Sequence, residues 1–445
     1  MQIILLYHYF HPDDVISARL FSDLAEELVR SKDDEGKAPR VIAMPSIRSC
    51  HEGDASHPKR ENWKSVEIWR VWRPNLKQAS NKGRIINAIM MLVAWTWRAI
   101  ITPRSRNEVM IVGTDPTFGV LAAIPWRIFR PRSKIIHWCH DLYPDAAVAD
   151  GLFQEQSFLV RFLSWWLAIA YRRCDIIADL GICMYQRRLG HDVVSARGKL
   201  EADAPLPSNY VELTPWSLVE PATAPSQDLE TRRELFGEAR LGLLYSGNLG
   251  RAHDFERFLK LARRLNVGFQ PLEVTNQVGF ESLEAPDRES SALPSQPCPA
   301  FCFAGRGPRM EELKSMINAG DTNIRFAGFA DEAQLEKRLA AADVHLVSLR
   351  DEWTGTVVPS KFFGALAAGR AVLFSGSPNS CIAQWIERYQ LGWVLTDENI
   401  DAVASALIRL EDQPDERQAL RTRCHEIYHQ HFSKKVQLNR LKDLL

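Results

Sequence analysis

Short apolar runs alternate with helical stretches along almost the whole chain. In the first half, 2–7, 40–44, 66–72, 108–113, 134–139 and 175–179 read as strands. The stretches 16–30, 81–101, 117–129 and 156–172 read as helices between them. The second half repeats the order, with strands at 241–246, 300–304, 323–327, 343–348, 371–375 and 392–395. Its helices fall at 253–266, 308–318, 331–341, 359–368, 379–388 and 399–411. Such alternation predicts parallel sheets covered on both faces. A chain of 445 residues exceeds one ordinary core, and domains of about 200 residues are the usual solution. The expected fold is therefore α/β, with two doubly wound Rossmann-like domains facing each other across a cleft. The first spans 1–215 and the second 226–414, joined by the Pro-rich stretch Pro205 to Pro225. A segment rich in Pro, Glu and Ser, 270–299, reads as a surface insertion in the second domain. The tail from Pro414 to Leu445 reads as helical.

Charge and cysteine usage narrow the function. Lys plus Arg equals Asp plus Glu, 55 against 55, so a global basic field for nucleic acid is absent. The eight cysteines lack the paired C-x-x-C spacing of a zinc site. Reduced thiols and a cytoplasmic location fit them best. The opening MQIILLYHYFHPDD has no basic n-region and reads as a first strand, not as a signal peptide.

In doubly wound sheets ligands bind beyond the carboxyl ends of the strands, and four segments stand there. Val357 to Gly369 places Pro359 and Gly369 at the two ends of a short helix. Free N–H groups at Ser360, Lys361 and Phe362 would make an anion site. A lysine in the first turn opposes the helix dipole, so a bound phosphate accounts for Lys361 better than an ordinary surface lysine does. Leu243 to His253 runs from a strand through Gly247 and Gly250 into a helix. Its backbone could approach a diphosphate closely and Arg251 could neutralise it, although an ordinary strand–turn–helix connection reads the same way. Phe301 to Arg309 contains Gly305-Arg306-Gly307 but has Met310 where a dinucleotide fingerprint needs its third glycine. In the first half, Ile135 to Asp145 delivers His140 and Asp141 to the cleft edge, as catalytic groups or as a hydrogen-bonded structural pair. The loops His8 to Arg19 and Gly113 to Pro116 add Asp13, Arg19 and Asp115 on the acceptor side.

Several of these segments together are recognisable: Tyr245 to Asp254, Gly305 to Pro308, Phe326 to Phe329, Asp343 to Leu349, Pro359 to Gly369 and His140 to Asp145. On them the chain resembles the GT-B glycosyltransferases of family four, in the subgroup that builds bacterial exopolysaccharide and lipid-linked sugars. The resemblance implies a nucleotide-sugar donor held mainly by the C-terminal domain and an acceptor, lipid-linked or saccharide, held by the N-terminal domain. It also implies a final helix, about 415–445, crossing back to the N-terminal domain, retention of anomeric configuration, and no required metal or other cofactor. By position, Lys361 matches a donor-phosphate lysine, Gly247 the phosphate-loop glycine, and His140 the histidine near the transferred sugar. Asn248, Arg251, Arg306, Thr356, Ser360 and Gly364 complete the expected donor set. Four positions, in two pairs, depart from the pattern. Thr356 and Gly364 stand where many members carry acids, and Asn248 and His253 where many carry Arg and Lys. Arg251 is then the expected counter-charge to the diphosphate.

Sugar transfer passes through an oxocarbenium-like state while negative charge grows on the leaving oxygen, and preorganised donors aimed at that oxygen lower the barrier. The resemblance implies same-face attack, with the leaving phosphate taking the acceptor proton and His140 positioning the sugar. Two other readings remain open at this stage: a sugar-nucleotide epimerase on the same scaffold, and a nucleotide-sugar-binding protein without turnover. A dehydrogenase is disfavoured by the incomplete glycine motif.

One helix raises the question of a membrane. Ile85 to Ile101 is apolar almost all round and is flanked by Lys82, Arg84, Arg104 and Arg106. Its seventeen residues would span about 25 Å, short of a ~30 Å hydrocarbon core. Arg98 interrupts it, and a spanning helix would separate strands of one sheet. A buried core helix and a helix resting on the bilayer both remain. Trp95, Trp97, Trp165 and Trp166 with Arg127, Arg130, Arg132 and Lys134 suit a headgroup region. The expectation is a protein peripheral to the inner face of the cell membrane, resting by its N-terminal domain.

Overall fold

The computed structural model describes residues 1–31, 36–50, 56–77, 80–190, 210–266 and 298–445. Nearly all of the expected insertion at 270–299, and the linker up to 209, lie outside the described residues.

The first sheet is built from β1 (Gln2–Leu6), β2 (Arg40–Ala43), β3 (Arg60–Trp63), β4 (Val66–Trp69), β5 (Glu108–Val112), β6 (Lys134–Cys139), β7 (Ile176–Asp179) and β8 (Val211–Glu212). Its order is β3-β4-β2-β1-β5-β6-β7-β8. All its pairs are parallel except β3 with β4. Its helices are α1 (Ile16–Arg30), α2 (Asn81–Ile101), α3 (Ala123–Phe129), α4 (Asp145–Ala149), α5 (Phe158–Tyr171) and α6 (Ile182–Arg188). The central strands β1 and β5 are buried throughout, and after their first residues, Gln2 and Glu108, they are the apolar runs that helices on both faces require.

The second sheet holds β9 (Gly242–Asn248), β10 (Ala300–Arg306), β11 (Ile324–Ala327), β12 (Val344–Ser348), β13 (Ala371–Ser375) and β14 (Gly392–Leu395). Its order is β11-β10-β9-β12-β13-β14, all parallel. Around it lie α7 (Leu229–Phe236), α8 (Glu256–Asn266), α9 (Pro308–Ser315), α10 (Glu332–Ala341), α11 (Lys361–Ala367), α12 (Cys381–Tyr389) and α13 (Ile400–Asp412). The tail forms α14 (Pro414–Ile427), a π turn at Tyr428–Phe432, and α15 (Lys434–Lys442). α15 lies on α1 in the first half, where Lys442 pairs with Glu27 at 2.6 Å and Lys434 with Asp23 at 2.8 Å.

The hairpin β3–β4 was not expected. Its turn, Lys64-Ser65, adopts left-handed φ angles of 49° and 68° without the Asn-Gly signature of such turns. β3 is an edge strand of polar sequence, so no apolar run announces it.

One continuous apolar core joins the halves. Trp138, Leu180 and Met184 of the first pack in the same cluster as Phe362, Ile382 and Trp385 of the second and Tyr428 and Phe432 of the tail. Burying each such side chain contributes about 1.5–3 kcal/mol. Cys183 and Cys381, expected as separate reduced thiols, form a disulfide between α6 and α12. Buried Arg370 donates to the carbonyls of Ala340 and Pro225, which fastens the end of the linker to the second half.

By length and composition, the segment Lys82–Ile101 is apolar enough to cross a membrane. It nevertheless connects β4 to β5 within one sheet, and the buried Trp95 Nε1–H donates to the Met44 carbonyl at 2.8 Å. A crossing would place those two strands on opposite sides of the bilayer. Arg98 rests over the Trp69 ring, 5.8 Å from its centroid.

Candidate functional site

The strands β9 and β10 end side by side, with Gly247 opposite Gly305 and Asn248 opposite Arg306. A Cβ on Gly305 would stand 1.9 Å from the Gly247 oxygen, so only glycine lets the two strand ends approach this closely. Gly247 has φ 118°, and a Cβ there would meet Lys361 Cε at 3.3 Å. Lys361 reaches this edge from the first turn of α11. Its Nζ donates to the Asn248 carbonyl at 3.0 Å and to His253 Nε2 at 3.2 Å. It also lies 5.1 Å from the centroid of the Tyr245 ring, a cation–π distance. The Tyr245 hydroxyl donates to the same Asn248 carbonyl at 3.0 Å.

The tautomer of His253 follows from its partners. Nδ1–H donates to the Ser348 carbonyl at 2.7 Å, which leaves Nε2 as the acceptor for Lys361. Burial, then the Lys361 charge, pushes the His253 pKa down to about 3, so the ring is neutral. Burial also pulls the Lys361 ammonium down to about 8. An ammonium has three protons. Two are placed within the protein, and the third has no acceptor placed among the described residues.

Across the seam, β6 delivers His140 and Asp141. Thr114 Oγ1 accepts from both backbone N–H groups, at 2.8 and 3.3 Å, and fixes the turn. The His140 ring stands edge-on to Trp138 at 4.3 Å between centroids, with Phe21 beyond it at 6.0 Å. Its Nε2 is buried and has no hydrogen-bond partner among the described residues. Burial, then the neighbouring His137, lowers its pKa to about 3, which keeps the imidazole neutral. Burial, then the charge of Asp115, raises the Asp141 carboxyl to about 6. Asp115 in turn meets His8 Nδ1 at 3.1 Å. The two edges touch directly, since Leu142 N–H donates to the Thr356 carbonyl at 2.8 Å. Leu142 follows His140 by two residues, and Thr356 precedes Lys361 by five.

Solved structures share this architecture from end to end. Anabaena HepE, determined in complex with UDP, matches with a TM-score of 0.60 at 10% identity, over 100% of this chain and 99% of that chain. The α,α-trehalose-phosphate synthase (UDP-forming) of Burkholderia vietnamiensis matches with a TM-score of 0.63 at 11% identity, again over 100% and 99%. This is the GT-B fold. Sequence comparison points the same way. Residues 291–413 match the family model described as glycosyl transferases group 1. The probable glycosyltransferase WbjE of Pseudomonas aeruginosa is 22% identical over 319 residues, 71% of this chain and 69% of that protein. Together the matches support a GT-B glycosyltransferase.

Within the GT-B cleft the expected residues divide. Gly247, Asn248, Arg306 and Lys361 meet at one edge, with Arg306 resting over the Phe329 ring at 4.6 Å from its centroid. His140, Asp141 and Asp115 meet at the other. Arg251, expected at the diphosphate, instead reaches across the seam to Asp150 at 2.9 Å, with 64% of its side chain exposed. Thr356 is fully buried and its hydroxyl donates to the Trp353 carbonyl at 2.8 Å, so it serves a turn. A side chain at Gly364 would meet Leu339 and Ser217 at 3.7 and 3.9 Å, in packing contact with α10 and the linker. The Ser360 side chain caps nothing in α11. The Phe362 N–H, expected free, donates to the Pro359 carbonyl at 3.2 Å.

Asp13 and Arg19 line a different cavity of about 440 Å³, between α1, the β3–β4 hairpin and the linker. There Asp13 accepts from Cys50 N–H at 2.8 Å and Ser49 Oγ at 3.1 Å. Sequence reasoning missed three contributors: His253 as the acceptor that orients Lys361, Thr114 as the brace of the His140 turn, and His8 as the partner of Asp115. Each stands just beyond a strand, which is the one signal that could have found them.

Proposed function

We propose that the chain is a retaining glycosyltransferase that moves a sugar from a nucleotide-diphosphate donor to a lipid-linked acceptor, in the family-four subgroup serving bacterial exopolysaccharide or glycolipid synthesis. One observation carries the reading. Lys361 Nζ, with one donor unused among the described residues, stands at the β9–β10 edge, across the seam from a neutral His140 whose Nε2 is unsatisfied among them. The first group suits the leaving diphosphate and the second suits the sugar.

As the anomeric bond breaks, electrons move onto the leaving phosphate oxygen and Lys361 stabilises the growing charge. The sugar carbon takes on oxocarbenium character. His140, being uncharged, adds no repulsion and accepts or donates a hydrogen bond to a sugar hydroxyl. Ionised above pH about 6, Asp141 places negative charge near the developing positive centre. The acceptor hydroxyl attacks from the face the phosphate leaves, and its proton passes to that phosphate. No metal is assigned a role.

The test is incubation with a panel of nucleotide sugars, with and without a lipid extract as acceptor. Free nucleotide diphosphate should appear only with acceptor, at a rate unchanged by chelator, and the product should keep the donor's anomeric configuration by NMR. Interconversion of the nucleotide sugar without acceptor, or donor binding without turnover across the panel, would overturn the reading.

A further inference from the structure

Two helices of the first half expose what helices normally hide. α2 buries Ala88, Met91, Trp95 and Ala99 against its sheet. Its opposite side presents Ile85, Ile89, Val93, Trp97 and Ile100, each more than 40% exposed. On α5, Val160, Leu167 and Ala170 point inward. Outward stand Phe158, 84% exposed, with Phe162, Trp165 and Trp166. α3 packs against both helices, so the two apolar surfaces are neighbours. A solvated surface helix carries polar groups on its outer face, and apolar patches of this extent mark an interaction surface.

The charge pattern selects the occupant. α2, α3 and α5 contain no Asp or Glu at all, while exposed Lys82 and Arg161 lie on α2 and α5 and exposed Arg172 and Arg173 follow α5; Arg127 of α3 is already paired with Asp175 at 2.6 Å. In a two-fold dimer the same patch faces itself, which would set cations against cations. Anionic headgroups would instead neutralise them, while Trp97, Trp165 and Trp166 suit the headgroup level. Trp95 and Arg130, expected at that level, face inward, where Arg130 pairs with buried Glu108.

We infer that the outer face of α2 and α5 rests in the plane of an anionic lipid surface. The inner side of the same helix reaches the cleft edge: buried Leu167, with Tyr171, lines one small pocket together with Asp141 and Thr114. The inference stands on this surface alone and does not rest on the transferase reading.

The test uses the full chain, sedimented with phosphatidylcholine vesicles with and without phosphatidylglycerol, in the absence of donor and acceptor. Wild type should pellet with the anionic vesicles, less so at high salt. The triple variant Ile89→Glu, Val93→Glu, Trp97→Glu, checked for an unchanged melting temperature, should lose more than about tenfold in partitioning. If that variant melts early, Phe158→Glu with Trp165→Glu asks the same question on the other helix. Wild type left in the supernatant at low salt, or variants pelleting as wild type does, would overturn the inference. So would a concentration-dependent dimer that the variants abolish while vesicles capture nothing, which would assign the face to a second copy. None of these outcomes bears on nucleotide-sugar turnover, which is measured separately.

Discussion

At the end of β9, Lys361, the Asn248 carbonyl and His253 hold one another in place. At the end of β6, His140 keeps a buried nitrogen without a partner among the described residues, and burial raises the Asp141 carboxyl to about 6. The first arrangement suits an anion that is present from the moment of binding, because its donors are fixed beforehand. The second suits a charge that exists only in passing, because groups already satisfied in the ground state have nothing further to offer. On the proposed function, one edge holds and the other responds.

The largest effect that would separate the edges is expected at His140. His140→Ala should lower kcat by about a hundredfold, the scale of losing one well-aimed polar group, while donor affinity measured by calorimetry stays close to wild type. Normal kcat with lost donor binding would erase the distinction. Next is Lys361→Ala, which should weaken nucleotide-diphosphate binding by roughly 1.5–3 kcal/mol, about tenfold to a hundredfold. Unchanged affinity in the folded variant would remove the phosphate role.

The pH profiles sharpen the contrast further. Diphosphate affinity should fall as pH rises above about 8, where Lys361 loses its charge, and Lys361→Arg should move that limb upward. Turnover should fall as pH drops through about 6, where Asp141 gains its proton, and Asp141→Asn should flatten that limb. A profile with neither limb would count against both assignments. The smallest effect is expected at Arg251, which bridges the edges and belongs to neither. Exposed pairs contribute about 1 kcal/mol or less, so Arg251→Ala should leave donor binding almost unchanged, and a double-mutant cycle with Asp150→Ala should return a small coupling.

Much of this was legible in the sequence. The two parallel sheets followed from apolar runs that need cover on both faces. That Gly247 and Lys361 meet at one strand edge followed from residue types that their positions would otherwise disfavour. Arg251 was misread because a cation beside a phosphate loop looks like its counter-charge, and nothing local reveals an aspartate 101 positions earlier. His253 was noted as an exception to a pattern, yet its role depends on the Ser348 carbonyl fixing its tautomer, a contact made only after folding. The outward faces of α2 and α5 show the same limit. Periodicity separates one side of α8 cleanly, because Arg257, Lys260, Arg263 and Arg264 mark its wet side and pair with acids there. On α2 both sides are apolar, so the sequence alone could not say which one packs on the sheet.

The chain passes between the halves twice, once through the linker and once through the tail, and the two passages are fastened together. Tyr428 OH accepts from Ser217 N–H at 2.9 Å and donates to Glu220. Glu220 also accepts from Lys434 N–H at 2.7 Å, and His429 donates to the Pro221 carbonyl at 3.1 Å. Two straps bound side by side act as the spine of a book. With the shared core and the Cys183–Cys381 disulfide they bind the two halves along one line, and so set the residues at the end of β6 against those at the end of β9.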